Sequence, residues 1–411
     1  MPVTKNITSL TQHFLEKEEL YGAHNYHPLP VVLSKGKGVF VWDVDGKRYY
    51  DFLSGYSAIN QGHCHPRIIE AFIEQAQCLT LTSRAFHNDL LGQYAEFITR
   101  FFGYDKVLPM NTGVEAVETG LKLARRWGYE VKGVAKNKAK IITCVHNFHG
   151  RTISVISFSS DDGSRKDFGP FTPGFEVIPY NDIAALKEAL QDGNVVGFLV
   201  EPIQGEAGVI VPDEGYLSKA ATLCREANVL FIADEIQTGL GRTGKMLACD
   251  HEQVRPDILL LGKALSGGTM PVSAVLADDE IMLTIKPGDH GSTYGGSPIA
   301  CKVAMTALQV LVDEKMAKNS QVLGEYFRKE LLALNNEHIA IVRGKGLFNA
   351  IVIEHHNKDM AWDICIEMKQ NGLLAKPTHG DRIRFAPPLI ITKAQVDECI
   401  DIIRKSLHSI K

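Results

Sequence analysis

Four short, almost wholly apolar runs recur through the middle of the chain: Ile141–Val145, Val195–Val200, Val229–Ala233 and Ile258–Leu261. A strand with one face in water alternates apolar and polar residues, so runs without alternation belong to strands covered on both faces. Helical patterns lie between them. Val114, Val117, Leu121 and Ala124 fall at helical spacing behind Asn111 and Thr112, residue types suited to cap positions, and Leu217–Ala227 reads as a helix between two strands. Strand–helix repetition from about 105 to 290 predicts an α/β architecture with a mostly parallel central sheet covered by helices. In such sheets ligands gather at the carboxyl ends of the strands. The residues that follow each run are therefore the ones to inspect.

The flanks read differently. Residues 1–36 predict an irregular arm with one short helical stretch, followed by GVFVWDVDGKRYYDF, a hairpin pattern around Asp45-Gly46. After Pro298 a long apolar-periodic helix is expected over Ile299–Val312, continuing towards Leu332. Strands near 339–354 and 372–386 and a helix from 393 complete a smaller α+β unit. The expected division is an arm and hairpin start at 1–50, a large domain at 51–297 and a small domain at 298–411.

Composition excludes several function classes. Of 411 residues, 45% are hydrophobic and 22% charged, enough apolar side chain for a large core and too much for disorder. Forty-four Lys and Arg against 48 Asp and Glu leave a net charge of −4, without the basic field that nucleic acid or acidic lipid would require. No apolar stretch is long enough to span a membrane. Eight scattered cysteines without a CxxC pair suggest thiols in a reducing compartment. The leading MPVTKNITSLTQHFLEKEEL carries Glu16, Glu18 and Glu19 and no apolar core, fitting neither a secretory signal nor a transit peptide; a cytoplasmic protein is expected.

Two strand ends carry charge. In PDILLLGKALSGG, Lys263 closes an apolar run between Gly262 and the Gly267-Gly268 pair. An amine at the inner end of a buried strand loses solvation, and a deprotonated amine attacks carbonyls to form Schiff bases. The alternative is a lysine emerging into solvent. A nucleotide-binding P-loop is excluded, since Ala264 stands where Ser or Thr is required. One strand–helix unit upstream, VLFIADEIQTG ends its run at Asp234. An aspartate there could keep a pyridine-type nitrogen protonated, or merely cap a helix. Glu235 is expected at the surface or at a subunit contact.

Gly113 and Val114 open a helix whose first N–H groups could hold a phosphate, although no GxGxxG dinucleotide fingerprint is present. Ser292 and Thr293, in GSTYGG, could approach a phosphate oxygen or lie in a flexible loop. Arg151 in HNFHGRT and Arg384 in RIRFAPP could each fork a carboxylate, or simply face solvent. Phe148 could stack on a flat ring. His63, Cys64 and His65 lack the further ligands a metal site needs, and Asp43–Gly46 fits the hairpin better than a calcium loop.

Taken together, FIADEIQTGLGRTG and DILLLGKALSGG resemble the class III pyridoxal-phosphate aminotransferases of fold type I. The strings YGAHNYHPLP, SGYSAINQGHCHP, LTLTSRAFHND, MNTGVEAVET, NFHGRT, VEPIQGEAGV, HGSTYGG and KPTHGDRIRFAPPL are similar to those of the ornithine-specific branch of that class, and the likeness runs from about Tyr21 to the end. The resemblance implies roles. Lys263 would carry pyridoxal phosphate covalently and shuttle the substrate proton. Asp234 would pair with the ring nitrogen, Gln237 with the ring hydroxyl, and Phe148 would stack on the ring. Gly113 and Val114 would hold the phosphate, joined by Thr293 and Ser292 of a neighbouring subunit, so a homodimer is implied.

It also implies substrates. Ornithine would present its δ-amine while Tyr26 meets the α-amino group, Arg151 the carboxylate, and Tyr56 lines the pocket. Glu206 would mask Arg384 in that half-reaction and release it for glutamate or 2-oxoglutarate. The implied reaction is a ping-pong transfer between pyridoxal and pyridoxamine forms. It would yield L-glutamate 5-semialdehyde, which cyclises to 1-pyrroline-5-carboxylate, and L-glutamate. Acetylornithine or 4-aminobutyrate transfer is the alternative within the class, and a non-catalytic cofactor-binding protein the alternative outside it.

Overall fold

The computed structural model describes residues 10–410. Its centre is a seven-stranded sheet of β4 (Lys106–Met110), β5 (Lys140–Cys144), β6 (Phe175–Ile178), β7 (Val195–Val200), β8 (Leu230–Asp234), β9 (Ile258–Leu261) and β10 (Ser273–Ala277). These follow β1 (Leu33–Lys37), β2 (Phe40–Asp43) and β3 (Arg48–Asp51), and precede β11 (Ile339–Lys345), β12 (Phe348–Ile353), β13 (Leu373–Leu374), β14 (Lys376–Thr378) and β15 (Arg382–Phe385).

The strand order of the central sheet is β4-β10-β9-β8-β7-β5-β6. β5, β6, β7, β8 and β9 pair in parallel, while β10 is antiparallel to both β4 and β9, so six of the seven strands share one direction. All four apolar runs are strands of this sheet, and every residue of β7, β8 and β9 is buried. Burying one such side chain, Phe198 or Ile232 for example, contributes about 1.5–3 kcal/mol, which is why unbroken apolar runs take the central places. The α/β class expected from the alternation is the class observed.

The helix Gly113–Glu130 crosses this sheet. It begins with a reciprocal capping box: Glu115 N donates to Thr112 Oγ1, and the Glu115 carboxylate accepts from Thr112 N at 2.7 Å. The helix Tyr216–Glu226 lies between β7 and β8 in the chain, one residue displaced from its expected limits.

Two further four-stranded sheets flank the centre. The hairpin around Asp45-Gly46 is β2–β3, extended by β1 on one side and, in parallel, by β13 from far down the chain. The other sheet has the order β11-β12-β15-β14. The long helix expected over 299–332 is instead two, Pro298–Asp313 and Met316–Ala333, broken where Lys315 takes φ of +52°. The corner is held from outside: Asp313 pairs with Arg67 at 2.8 Å and Glu314 with His65 at 2.9 Å.

Candidate active site

Parallel pairing sets Asp234 opposite Leu260, so Asp234 and Lys263 both lie at the carboxyl end of the sheet, at the ends of β8 and β9. Asp234 is 5% exposed. Its Oδ2 lies 2.6 Å from His149 Nδ1, and its Oδ1 accepts from Ile236 N at 3.1 Å. A carboxylate offers about four acceptor sites, so two remain for a further donor. Lys263 follows Gly262 with φ of +43°, half-buried, its amine without a hydrogen-bond partner among the described residues. Burial pulls its pKa below the ordinary lysine value, against the opposing fields of Glu206, Asp234 and Glu201. A desolvated amine of this kind is a nucleophile and a base.

Two residues beneath this pair had no role assigned from sequence. His149 is fully buried; burial disfavours its charge, yet the contact with Asp234 and the fields of Asp234 and Glu201 outweigh this and raise its pKa. Its Nε2 has no partner among the described residues. Glu201 directly follows β7 and accepts from Phe148 N at 2.8 Å and from Gly205 N at 3.2 Å. Burial pushes its carboxyl up to about 7, with Asp234 adding to the rise and His149 and the two N–H donors opposing it. The strand-end rule that singled out Asp234 and Lys263 applies equally to Glu201. His149 offered only its adjacency to Phe148.

The phosphate candidates lie beside these. Gly113 and Val114 occupy the first helical turn, where N–H groups have no acceptor inside the helix. Four donors surround the nearby Glu115 carboxylate, the N–H groups of Asn111 and Thr112 with the side chains of the same two residues, and its pKa falls below the ordinary value despite burial. Gly150 has φ of +124°, and a Cβ there would stand 2.4 Å from Val114 Cγ2; only glycine lets the Phe148–Arg151 loop lie against the helix start. Phe148 is half-buried, with the exposed Arg151 guanidinium 5.5 Å from its ring centre. Ser292 Oγ accepts from Asn111 Nδ2 at 2.7 Å, within the same chain, while Thr293 is exposed.

The substrate candidates form a third group. Arg384 Nη1 donates to Glu206 Oε1 at 2.6 Å. Gln237 Nε2 donates to the same oxygen at 3.4 Å and to Tyr56 O at 3.3 Å, so within this chain Gln237 bridges two of the substrate candidates. The Arg384 guanidinium stands 5.4 Å from the Tyr56 ring centre. Burial and the fields of Glu206 and Tyr26 hold the Tyr56 hydroxyl above its ordinary value against Arg384, which places Tyr26 near the group although it is 68% exposed. The strands brought these together: Glu206 lies just beyond β7, Arg384 in β15 and Gln237 beyond β8.

One expectation is overturned. Glu235 is fully buried, accepting from Cys249 N at 2.8 Å and from the Thr238 hydroxyl, and burial raises its carboxyl. Neighbours at a strand end point to opposite faces, and here both faces are covered. His63 pairs with Asp51 at 2.7 Å and His65 with Glu314 at 2.9 Å.

An unpaired, desolvated amine, a buried carboxylate with spare acceptor capacity and a helix start with free N–H groups match the aldehyde, ring nitrogen and phosphate of pyridoxal phosphate. Comparison with known proteins agrees. The profile described as "Aminotransferase class-III" matches residues 21–407. The chain is 62% identical over 399 residues to "Ornithine aminotransferase, mitochondrial" of Rattus norvegicus, covering 97% of this chain and 91% of that one. The solved ornithine aminotransferase of Toxoplasma gondii, which has pyridoxal phosphate at partial occupancy, superposes with a TM-score of 0.96 at 51% identity, covering 97% and 94% of the two chains. An acetylornithine aminotransferase from Elizabethkingia anophelis gives 0.90 at 57% identity over 98% and 100%. With the site residues in these positions and a family match across nearly its whole length, the chain belongs to the class III aminotransferases.

Proposed function

We propose that the protein is an ornithine δ-aminotransferase that passes the amino group to 2-oxoglutarate. The observation that carries this reading is the Glu206–Arg384 pair, a carboxylate seated on the guanidinium that an α-carboxylate would otherwise take. Identities of 62% to the rat ornithine enzyme and 51% to that of Toxoplasma gondii support it.

In the first half-reaction Glu206 masks Arg384, so a substrate carboxylate has to bind elsewhere; Arg151 takes it and Tyr26 meets the α-ammonium. The δ-amine is then the group presented beside Lys263, at the cofactor carbon that this lysine would hold. Bound pyridoxal phosphate supplies an electron sink for the pair left when a proton departs from the carbon bearing that amine. Lys263 holds and moves the proton at that carbon, a task suited to an amine whose charge burial disfavours. Asp234, fixed by His149 and Ile236 N, holds the proton at the ring nitrogen. The product, L-glutamate 5-semialdehyde, closes to 1-pyrroline-5-carboxylate. In the second half-reaction Glu206 turns away and Arg384 receives the α-carboxylate of 2-oxoglutarate. One ion pair replaces another, and no guanidinium is left buried and unpaired.

We infer that the enzyme acts as a homodimer in which Ser292 and Thr293 approach the partner's phosphate site. Support comes from their loop, which leaves Thr293 and Tyr294 exposed yet is tied down by His290 on Thr119 at 2.8 Å. Division into an arm at 1–50, a large domain at 51–297 and a small domain at 298–411 is supported by the sheets, one contained within 106–277 and another within 339–385. Eight free cysteines support a reducing compartment, and we assign the cytoplasm.

The acetylornithine aminotransferase at 57% identity makes that substrate the second reading. Mixing the yellow holoenzyme in turn with ornithine, N-acetylornithine and 4-aminobutyrate separates the readings. Ornithine is expected to bleach the cofactor fastest and release the cyclic product. Faster bleaching by N-acetylornithine would replace the proposal.

A further inference from the structure

Glu206 and Arg384 do not stand alone. β14 pairs antiparallel with β15, placing Lys376 directly opposite Arg384 and Thr378 opposite Arg382. Directly paired residues share a face, and alternate residues along a strand return to it, so Lys376, Thr378, Arg382 and Arg384 line one side of this ribbon. That side is the one that carries Glu206: Thr378 Oγ1 donates to Glu206 O at 3.0 Å and Arg382 Nη1 to Ala207 O at 3.2 Å.

Two like charges directly across a strand pair destabilise it unless an opposite charge compensates. Glu206 is bound to Arg384, and Asp381 pairs with Arg382 at 3.2 Å. Lys376 is half-buried and has no carboxylate within ion-pair distance among the described residues. Its ammonium lies 5.9 Å from the ring centre of Tyr26. Burial lowers its pKa and Arg384 lowers it further, against Glu206, as expected of a cation held in the field of this cluster.

We propose that Lys376 is a specificity-determining residue of this site, the second cation of a receptor for the carboxylate that engages Arg384. The inference rests on the reading of Glu206 and Arg384 given above. With Glu206 seated, the three groups carry a net charge of +1; with it turned away they present +2, matched to an acidic oxo acid. Ornithine, whose α-ammonium reaches the neighbourhood of Tyr26, meets the same ammonium as a like charge. Lys376 therefore favours the oxo-acid half-reaction at the expense of the diamine one.

Single-turnover kinetics of the holoenzyme, read from cofactor absorbance, test this on Lys376→Gln, Lys376→Arg and Glu206→Gln. Lys376→Gln is expected to lower kcat/KM for 2-oxoglutarate about five- to tenfold and flatten its dependence on salt, while that for ornithine rises. Lys376→Arg is expected to restore the 2-oxoglutarate value. Equal losses in both half-reactions, or a ratio unchanged or moved towards 2-oxoglutarate, would overturn the proposal. Glu206→Gln reports on the underlying reading separately. A shift there without one in Lys376→Gln rejects Lys376 alone, whereas no shift in Glu206→Gln rejects the masking of Arg384.

Discussion

Arg384 Nη1 donates to Glu206 Oε1 at 2.6 Å, while the backbone carbonyl of the same glutamate is bound by Thr378 and the next carbonyl by Arg382. The backbone of Glu206 is thus pinned to the ribbon on which its partner sits, and the side chain is the part free to turn. Removing it leaves Arg384, among the described residues, with one hydrogen-bond acceptor, the Gly205 carbonyl at 3.4 Å. Glu206→Ala should therefore favour the glutamate half-reaction over the ornithine one by about tenfold, at some loss of stability, because a guanidinium has been left unpaired. Half-reaction rates measured separately, with urea unfolding alongside, give both quantities.

In the proposed mechanism Tyr26 distinguishes substrates by a single hydroxyl. Tyr26→Phe should reduce kcat/KM for ornithine by about five- to tenfold, the loss of one hydrogen bond to a charged group. 4-Aminobutyrate has no α-amine and should be affected less. Parallel assays that show equal losses would remove the contact.

In the proposed mechanism Lys263→Ala removes both the covalent anchor and the group that moves the proton. Turnover should fall by about 10⁴-fold or more. The visible absorbance should disappear on dialysis while the far-ultraviolet circular dichroism stays unchanged.

Gly205 illustrates how tightly the switch is packed. A Cβ there would stand 1.9 Å from Gln237 Oε1 and 2.9 Å from Phe348 Cζ. Gly205→Ala should displace Gln237 from Glu206 and cost about 1–3 kcal/mol. Thermal unfolding and the ratio of half-reactions should both change; a variant that alters neither would show that the gap closes without consequence.

Glu201 sets a pH dependence. Its carboxyl is pushed up to about 7 by burial, so between the ordinary carboxylate range and that value the folded chain keeps a proton the unfolded chain has released. Stability then falls as pH rises through this window. His149, raised in turn, contributes stability that is present below the ordinary histidine value and lost as pH rises through its folded value, a slope of the same sign. Urea unfolding from pH 5 to 8 should show a flatter profile in Glu201→Gln than in the parent. The altered hydrogen bond adds only a constant offset.

Much of the site lies in local strings, and what the strings do not show has physical reasons. Lys263 and Asp234 stood out because a charge at the end of an unbroken apolar run is costly unless it has a task. Glu201 meets the same criterion at the end of β7, five residues before Glu206. Lys376 gave no such sign: a lysine before proline in a short polar strand is indistinguishable from a solvated one until its cross-strand neighbour is known.

Periodicity, caps and strand ends are properties of neighbours in the chain, and from them the sequence alone determined the α/β class, the buried strands, the helix start at Gly113 and the charges of Lys263 and Asp234 at the ends of neighbouring buried strands. The tertiary structure decided which side of a strand end faces the site, sending Glu235 into the core and Asp234 to His149. It also placed β10 antiparallel between β4 and β9, and brought Glu206, Arg384, Lys376 and Tyr26 from distant segments onto one ribbon face. Such contacts depend on how sheets pack and strands pair across hundreds of residues, which local propensity does not encode.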